Sequence, residues 1–331
     1  MKKIFIGFCA LIVCYATIFA GGSNEKSESL HFRVSMPEAS ADNKAVAIRQ
    51  VVENIQKRTS GRVTFDVYYS AELGTFTDTI ESIALGSNII DGTSGDAYAP
   101  YGCPDMTALN LMYMYPDSKS VMKFNDSSLF KEMTAELEKN SGIKMICMNW
   151  CGAPREVLST KPIHSVADCA GMNIRVPEND LFVAMAHAWG SNSKPITFSE
   201  LYLALQYNIV DGQENPLPTF ASAKLQEVQK YVILTGHVMT PALVVINEAA
   251  WQKLEAADRE ILKASLAKNI EWQNNEIVKQ ENELIASLKA QGITVITPDV
   301  ESFRVATLKT LPPLFEAKWG KGTWESIQAI Q

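Results

Sequence analysis

The segment HFRVSMPEASADNKAVAIRQVVENIQKRTSGRVTFDVYY, His31–Tyr69, decides the fold class of this chain. Its first residues, His31–Ser35, follow a strand pattern, and Asn43–Ser60 carries apolar residues at helical spacing. Gly61 suits the end of that helix, and Val63–Tyr69 alternates like a second strand. A strand, a helix and a strand in this order predict a parallel pair joined by a crossover helix.

The same alternation continues along the chain. A second helix and a third strand are predicted at Phe76–Leu85 and Ile89–Gly95. Later segments repeat the pattern, with strands at Gly142–Trp150, Glu156–Thr160, Met172–Val176, Val232–Leu234 and Ala242–Ile246 and helices at Asn179–Trp189 and Leu201–Tyr207. Since a chain of 331 residues favours two domains, we expect a two-domain α/β protein.

Two stretches leave alternatives open. Trp251–Ala290 contains neither glycine nor proline and carries an apolar stripe, which predicts one long helix or a broken pair. In NIVDGQENP, Asn208–Pro216, Asp-Gly and Asn-Pro mark turns, and Gly212 can adopt a left-handed conformation. This second stretch predicts a surface loop, and the alternative is that Asn215 is held in place to bind a ligand.

Residues 1–20 predict a secretory signal, because a short lysine-containing start precedes a mainly apolar run and a small residue. Residues 21–29 then form a flexible polar leader. The apolar run is shorter than the about 20 residues that a spanning helix needs. An uncleaved anchor and a lipid anchor through Cys14 are the alternatives. We expect a periplasmic protein.

The chain is acidic, with a formal net charge of −7. Residues 1–20 contain two of the 30 lysines and arginines and none of the 37 acidic residues, so their removal gives a net charge of 28 − 37 = −9. Such a protein is a poor general binder of nucleic acid, so we expect no nucleic-acid partner. Any anion that it binds must be held by a local group of cations and dipoles.

The cysteines beyond residue 20 form no CxxC pair: Cys103, Cys147, Cys151 and Cys169. The four histidines are scattered, and together these spacings argue against a zinc site. Buried free thiols are the expectation, and one disulfide is the alternative in an oxidising compartment. No metal or cofactor is predicted.

Three polar side chains fall at the edges of predicted elements, where ligands bind in open α/β sheets. Arg175 lies near the end of a strand, Arg155 lies between two strands, and Asn215 follows the Asp-Gly turn. Arginine presents a planar fork of donors that matches a carboxylate. The ordinary alternatives are a surface arginine paired with Glu178 and an asparagine that only forms a turn before Pro216.

Several motifs resemble those of the solute-binding proteins of tripartite ATP-independent periplasmic (TRAP) transporters, of the DctP type. The resemblance covers nearly the whole chain beyond the signal segment. Its motifs are SGRVTFDVYYSAELG (Ser60–Gly74), GMNIRVPEN (Gly171–Asn179), ITFSELYLALQYNIVDGQENP (Ile196–Pro216) and KLQEVQKYVILTGH (Lys224–His237). Several ordered motifs of this length make the match specific.

The resemblance implies a periplasmic-binding-protein-like fold of two α/β domains. A hinge joins them, the ligand cleft lies between them, and a long C-terminal helix spans both. The implied first domain comprises residues 30–153 with about 241–280, and the second comprises 154–240 with about 281–331.

The resemblance also implies binding roles. The arginine of the RVP motif, Arg175, grips the ligand carboxylate, and Arg155, twenty positions earlier, assists it. The asparagine of DGQENP, Asn215, completes the grip. Phe198 of the FSE motif lines the pocket, and Glu178, directly after RVP, tunes specificity.

Acidic side chains near the expected cleft favour recognition of hydroxyl groups. Asp96 and Glu178 could each accept hydrogen bonds from hydroxyls, and Glu38 is a weaker candidate. Trp150 and Phe198 could form apolar walls. Because such acids repel a second carboxylate, a sugar acid such as a hexuronate or an aldonate fits better than a C4-dicarboxylate. A C4-dicarboxylate, a 2-oxo acid or a sialic acid is the alternative ligand.

No enzyme is predicted, since the chain lacks G-x-S-x-G, H-E-x-x-H and a strand-linked G-x-G-x-x-G. Paired acids could hydrolyse glycosides, but an arginine grip on a carboxylate favours holding over turnover. A receptor that presents its ligand to a signalling partner would use the same binding chemistry. The resemblance implies instead a protein, expected to be monomeric, that delivers an organic acid to a TRAP membrane permease driven by an ion gradient.

Overall fold

The computed structural model describes residues 29–151, 153–239 and 241–330. The predicted signal segment, and with it Cys14, lies outside these ranges. The strands are β1 (Leu30–Ser35), β2 (Val63–Tyr68), β3 (Ile89–Ser94), β4 (Ile143–Cys151), β5 (Arg155–Ser159), β6 (Asn173–Val176), β7 (Asn192–Pro195), β8 (Gly212–Pro216), β9 (Tyr231–Val238), β10 (Pro241–Asn247) and β11 (Thr294–Ile296).

Helices cover both faces of the sheets that these strands form. They are α1 (Asn43–Arg58), α2 (Phe76–Ala84), α3 (Ser118–Asp126), α4 (Ser128–Ser141), α5 (Asp180–Ala188), α6 (Leu201–Gln206), α7 (Leu217–Ser222), α8 (Glu248–Gln252), α9 (Ala256–Ala290), α10 (Val300–Trp319) and α11 (Thr323–Gln328).

The first sheet has the strand order β2–β1–β3–β10–β4. β1 runs parallel to β2 and β3, while β10 runs antiparallel to β3 and β4. Ile48, Val51 and Ile55 of α1 pack in one core with Phe32 and Val34 of β1. Each such buried side chain contributes about 1.5–3 kcal/mol to stability. The predicted strand–helix–strand unit is confirmed.

The second sheet has the strand order β11–β9–β5–β8–β6–β7. β6 is parallel to β7 and β8, and β11 is parallel to β9, but β5 is antiparallel to both of its neighbours. The expectation of wholly parallel sheets is therefore wrong at β5 and β10. Both strands enter their sheet through a short link from the other sheet, so no crossover helix forces them to be parallel.

The chain crosses between the sheets from β4 to β5, from β9 to β10, and again along α9. This helix has 35 residues, which corresponds to about 50 Å. It contacts α1 and β4 near the first sheet and α7 and β11 near the second. The two-domain fold with a long helix across both domains is confirmed, whereas the domain bounds given above stay a prediction. Of the two alternatives for Trp251–Ala290, the single long helix is correct for Ala256–Ala290, and only Trp251 and Gln252 belong to the short preceding helix α8.

The stretch predicted as a surface loop contains a buried strand. All five residues of β8 are buried, and β8 pairs with β5 and β6. Gly212 does not adopt a left-handed conformation but permits close packing, because a Cβ there would lie 2.9 Å from the carbonyl oxygen of Leu158. The left-handed residue is Asn208, with a φ of 55°, a conformation that asparagine tolerates.

Apolar periodicity did not indicate α3, α4 or α10. Pro312 and Pro313 lie inside α10, and prolines in a sequence argue against a helix interior. α3 and α4 are separated only by Ser127, whose side chain accepts a hydrogen bond from the backbone N–H of Phe130 and so begins α4.

Cys103, Cys147 and Cys169 are free thiols, and Cys147 is only partly buried. The side chain of Cys151 lies outside the described part of the chain. Within the described ranges, no helix combines the length and the apolar character that a membrane crossing requires.

We expect Gly212→Ala to destabilise the protein by about 1–3 kcal/mol, because the added methyl group would overlap the backbone of β5 and the side chain of Ile174. Urea unfolding followed by circular dichroism measures this loss. A loss below about 0.5 kcal/mol would show that β5 and β8 can separate without penalty.

Glu156 of β5 is a buried acid, 4% exposed, that accepts a hydrogen bond of 2.7 Å from the backbone N–H of Gly236. Burial raises the pKa of Glu156 to about 8, and the nearby charge of Glu281 adds to this shift. The folded protein therefore holds one more proton than the unfolded chain between about pH 5 and pH 8. Through this carboxyl group, the free energy of unfolding falls as the pH rises across that window.

Glu156→Gln should remove a pH-dependent change in the free energy of unfolding on the order of 4 kcal/mol between pH 5 and pH 8, because glutamine cannot ionise but can still accept a hydrogen bond from Gly236. Urea unfolding at a series of pH values measures the slope. Glu53→Gln on the exposed face of α1 is the matched control and should keep the wild-type slope. An unchanged slope in Glu156→Gln would contradict the raised pKa.

Candidate ligand-binding site

A cleft of about 610 Å³ is lined by residues of both sheets. Its lining includes these residues predicted from the sequence: Arg155, Arg175, Asn215, Glu38, Asp96, Glu178 and Phe198. A more open groove of about 660 Å³ along α10 contains none of them. The cleft between the sheets is therefore the candidate site.

Arg175, in β6, is 3% exposed. Its Nε donates a hydrogen bond of 2.8 Å to the backbone oxygen of Ile196, which orients the guanidinium group. Burial lowers the pKa of Arg175 to about 10, against the opposing charges of Glu214 and Glu178, so the group is positive at neutral pH. Within the described residues no carboxylate forms an ion pair with it. A buried cation in this state is costly, and an anionic ligand would remove the cost.

Glu178 is exposed at the cleft and forms no ion pair with Arg175. The ordinary alternative, a surface arginine paired with Glu178, is wrong for this conformation. The difference follows from position, since Arg175 lies inside the sheet and Glu178 lies beyond the strand end, before α5.

Arg155 begins β5 and already has a protein carboxylate as its partner. Its Nε and Nη2 donate to the two carboxylate oxygens of Glu214, with a distance of 2.9 Å for Nη2–Oε1. Nη2 also donates to Oδ1 of Asn215 at 3.2 Å. The guanidinium carbon lies 5.2 Å from the ring centre of Phe182, within range of a cation–π interaction. The predicted direct role of Arg155 at a ligand carboxylate stays a prediction.

Glu214 is completely buried and contacts two side chains, one from the adjacent strand β5 and one from β9, the strand beyond it. Besides Arg155, Nε2 of His237 in β9 lies 3.3 Å from Oε2 of Glu214, and Thr235 bonds to the other ring nitrogen at 2.8 Å. Although burial opposes it, the charge of Arg155 and the bond to His237 hold the pKa of Glu214 below its ordinary value. Burial lowers the pKa of His237. A neutral imidazole that donates to an ionised Glu214 fits both directions.

Asn215 is held by hydrogen bonds inside the sheet rather than by a turn. Its amide nitrogen donates to Oε1 of Gln213 at 2.5 Å, and its amide oxygen accepts from Arg155. Gln213 is in turn bonded to Gln229, which donates to the backbone of Leu158. The amide of Asn215 is thus preorganised at the cleft, and one of its N–H groups remains for a ligand.

Asp96 lies just beyond β3 and is 6% exposed. One carboxylate oxygen accepts from the amide of Asn110 at 2.5 Å, and the other accepts from the amide of Asn179 at 2.6 Å. Asn179 also begins α5 by accepting a hydrogen bond from the backbone of Phe182. Asp96 therefore joins the two sides of the cleft. Its carboxylate oxygens, predicted from the sequence to accept hydrogen bonds from ligand hydroxyls, already accept them from protein amides.

The remaining predicted residues have different positions. Phe198 is half-buried and lines the cleft, as does Phe182, which the sequence did not single out. Glu38 is 7% exposed and forms an ion pair of 2.8 Å with Lys44. Trp150 lies in β4, but its side chain is outside the described part of the structure.

Comparisons with known proteins identify the family to which this chain is similar. The sequence model of the family "Bacterial extracellular solute-binding protein, family 7", DctP, matches residues 34–316. The chain is 31% identical over 287 residues to the sialic acid-binding periplasmic protein SiaP of Vibrio cholerae, covering 85% of this chain and 87% of that protein.

Two solved structures of TRAP periplasmic solute-binding proteins are similar throughout. One, from Ochrobacterium anthropi with bound L-fuconate, is 27% identical with a TM-score of 0.86, over 91% of this chain and 98% of that one. The other, from Roseobacter denitrificans with bound 3-deoxy-D-manno-oct-2-ulosonic acid (KDO), is 27% identical with a TM-score of 0.86, over 92% of this chain and 100% of that one.

Arg155→Met should lower the free energy of unfolding of the ligand-free protein by about 3–5 kcal/mol, because it leaves the buried carboxylate of Glu214 without its cationic partner. Urea unfolding measures the loss. The double variant Arg155→Met with Glu214→Gln should recover part of it, since the uncompensated charge is gone. Equal losses in the single and double variants would contradict the assigned ion pair.

Proposed function

Because the chain belongs to bacterial extracellular solute-binding protein family 7, of the TRAP type, we propose that it captures a sugar acid and delivers it to a TRAP membrane permease. Family membership makes it a periplasmic solute-binding protein of a transport system and not an enzyme. The identity of the acid and the delivery step are the proposed parts.

The observation that carries the proposal is the buried guanidinium group of Arg175. It faces the cleft, it is charged at neutral pH, and it forms no ion pair with a described residue. Arg155, in contrast, is matched by Glu214. A ligand carboxylate at Arg175 would accept two parallel N–H bonds, which are the strong, geometrically specific bonds of an arginine–carboxylate pair. The second amide N–H of Asn215 supports that carboxylate.

A sugar acid is favoured by the rest of the cleft wall and by the relatives. Hydroxyl and carboxylate side chains line the cleft beyond the arginines, among them Thr75, Thr93, Thr107 and Glu38. Such groups suit a ligand with several hydroxyls. Three of the similar proteins are described as binding sialic acid, L-fuconate and KDO, and each of these acids carries one carboxylate and several hydroxyls.

The proposed mechanism is capture followed by delivery. The ligand carboxylate neutralises Arg175, and closure of the two sheets around the ligand excludes water, which strengthens these charge-assisted bonds. The bond from Asn179 to Asp96 spans the closed cleft and adds to its stability. The closed complex then docks on the permease. Sialic acid is the second candidate ligand, favoured by the 31% identity to SiaP.

The test is a thermal-shift screen of protein purified without residues 1–20, unfolded and refolded to remove any carried-over ligand. The panel contains aldonates, hexuronates, sialic acid, KDO, C4-dicarboxylates and 2-oxo acids. A ligand that binds only the folded state raises the melting temperature by mass action. A shift with sugar acids alone supports the proposal, and a shift with dicarboxylates or 2-oxo acids alone overturns the ligand class.

Arg175→Met should weaken binding of the acid found in the screen by at least about 100-fold, because both N–H bonds to its carboxylate are lost. Without ligand, the melting temperature should be unchanged or higher, since an uncompensated buried charge has been removed. Arg175→Lys keeps the charge without the fork and should weaken binding by about 10-fold or more.

Isothermal titration calorimetry measures these affinities, and thermal melts measure the stability. Arg155→Met is the matched control for stability. It should lower the melting temperature of the ligand-free protein strongly, whereas Arg175→Met should not. Wild-type affinity in Arg175→Met would remove this residue from the site.

A further inference from the structure

One acid on the first-sheet wall of the cleft has an oxygen that no described residue satisfies. Glu38 lies between β1 and α1, and its side chain is 9% exposed. Its Oε1 accepts from the ammonium group of Lys44 at 2.8 Å. Its Oε2 is buried and has no hydrogen-bond partner among the described residues. Both Glu38 and Lys44 line the cleft, so a ligand can supply the missing donor.

Local structure fixes this carboxylate in place. Asp42 caps α1 by accepting a hydrogen bond from the backbone N–H of Lys44, which places Lys44 in the first turn of the helix. Although burial opposes it, the charges of Glu38 and Asp42 hold the pKa of Lys44 above its ordinary value, so the ammonium group stays charged. Lys44 therefore positions Glu38 and leaves its second oxygen as the unpaired acceptor.

We propose that Glu38, positioned by Lys44, binds a hydroxyl group at the end of the ligand opposite its carboxylate and excludes ligands with a second carboxylate there. The proposal rests on the proposed function, since Arg175 on the second-sheet wall must hold the carboxylate. A buried acceptor without a donor is costly, and a ligand hydroxyl removes that cost. The two other acids considered from the sequence differ, because Asp96 is satisfied by two amides and Glu178 is exposed.

The charges around Glu38 select a neutral donor. The ammonium group of Lys44 is already paired with Glu38, so a second ligand carboxylate placed beside Glu38 would be repelled by it. A ligand ammonium group would have to share Glu38 with Lys44 and would also be repelled by Arg155, whose charge acts on Lys44. A hydroxyl group meets neither penalty and supplies the donor.

The test uses acids that share one carboxylate end and differ only at the terminal carbon. L-galactonate ends in a hydroxymethyl group, L-fuconate in a methyl group and galactarate in a carboxylate. D-gluconate, its terminal deoxy analogue and D-glucarate form a second series. Isothermal titration calorimetry gives the affinities for the wild type, Glu38→Gln, Glu38→Asp and the control Glu53→Gln on the exposed face of α1. Circular dichroism checks that each variant is folded.

In at least one series, the wild type should bind the hydroxyl-terminated acid about 10- to 100-fold more tightly than its two partners, as expected for a hydrogen bond to a charged group. Glu38→Gln keeps an acceptor for Lys44 but loses the charge, so the preference over the dicarboxylate should fall by about 10-fold or more. Glu38→Asp keeps the negative charge but moves the carboxylate oxygens away from the ligand. This variant should still reject the dicarboxylate, but it should no longer prefer the hydroxyl-terminated acid over the methyl-terminated acid. Glu53→Gln should match the wild type.

The inference is overturned if the wild type shows no preference for the terminal hydroxyl, or if Glu38 variants change all three affinities by one factor. It is also overturned if the wild type binds neither series. If neither series binds but sialic acid or KDO does, and Arg175→Met abolishes that binding, the proposed function still holds. Failure of the role of Glu38 is thereby distinguished from failure of the proposed function.

Discussion

The buried carboxylate of Glu214 is the interaction on which the second sheet depends. It lies in β8 with none of its side chain exposed, so it must be neutralised from neighbouring strands. Arg155 of β5 supplies the charge and His237 of β9 supplies a further contact, and the three elements are adjacent in the order β9–β5–β8. A one-residue slip of β8 would turn Glu214 to the other face of the sheet and leave Arg155 unmatched. This ion pair thus favours the observed register of β8 against β5.

The same interaction bears on the proposal that the cleft binds an anion although the chain is acidic. Glu214 satisfies Arg155 and leaves Arg175, on β6, as the buried cation without an ion pair in the described structure. The buried charge of Arg175 carries an energetic cost, which the proposed ligand carboxylate would remove. The backbone oxygen of Ile196 orients Arg175, and the side chain of Gln213 orients the amide of Asn215, so these two donors are already in position without a ligand.

Local patterns in the sequence predicted the fold class and the arginine at the strand end, because periodicity and chain position are local properties. They failed for β8, where Gln213, Glu214 and Asn215 are polar residues buried in a strand, and polar stretches with Gly and Pro ordinarily form loops. The partners also escaped prediction. Asp96 bonds to Asn179, 83 residues away, and Arg155 to Glu214, 59 residues away, and no spacing rule connects residues so far apart. The sequence indicated which residue types could bind a ligand, but the hydrogen-bond partners of these residues became clear only from the tertiary structure.

The position of β10 has a consequence for how the chain can fold. β10 separates β3 from β4 in the first sheet, although it follows β4 by the whole length of strands β5 to β9. Until residues 241–247 are available, β3 and β4 expose unpaired edges that can associate with other chains. The first sheet is therefore incomplete without a strand from the C-terminal half, and strand pairing over such a long separation in sequence is slow. Completion of the first sheet requires nearly the entire polypeptide. We therefore expect this sheet to form only when synthesis of the chain is almost finished.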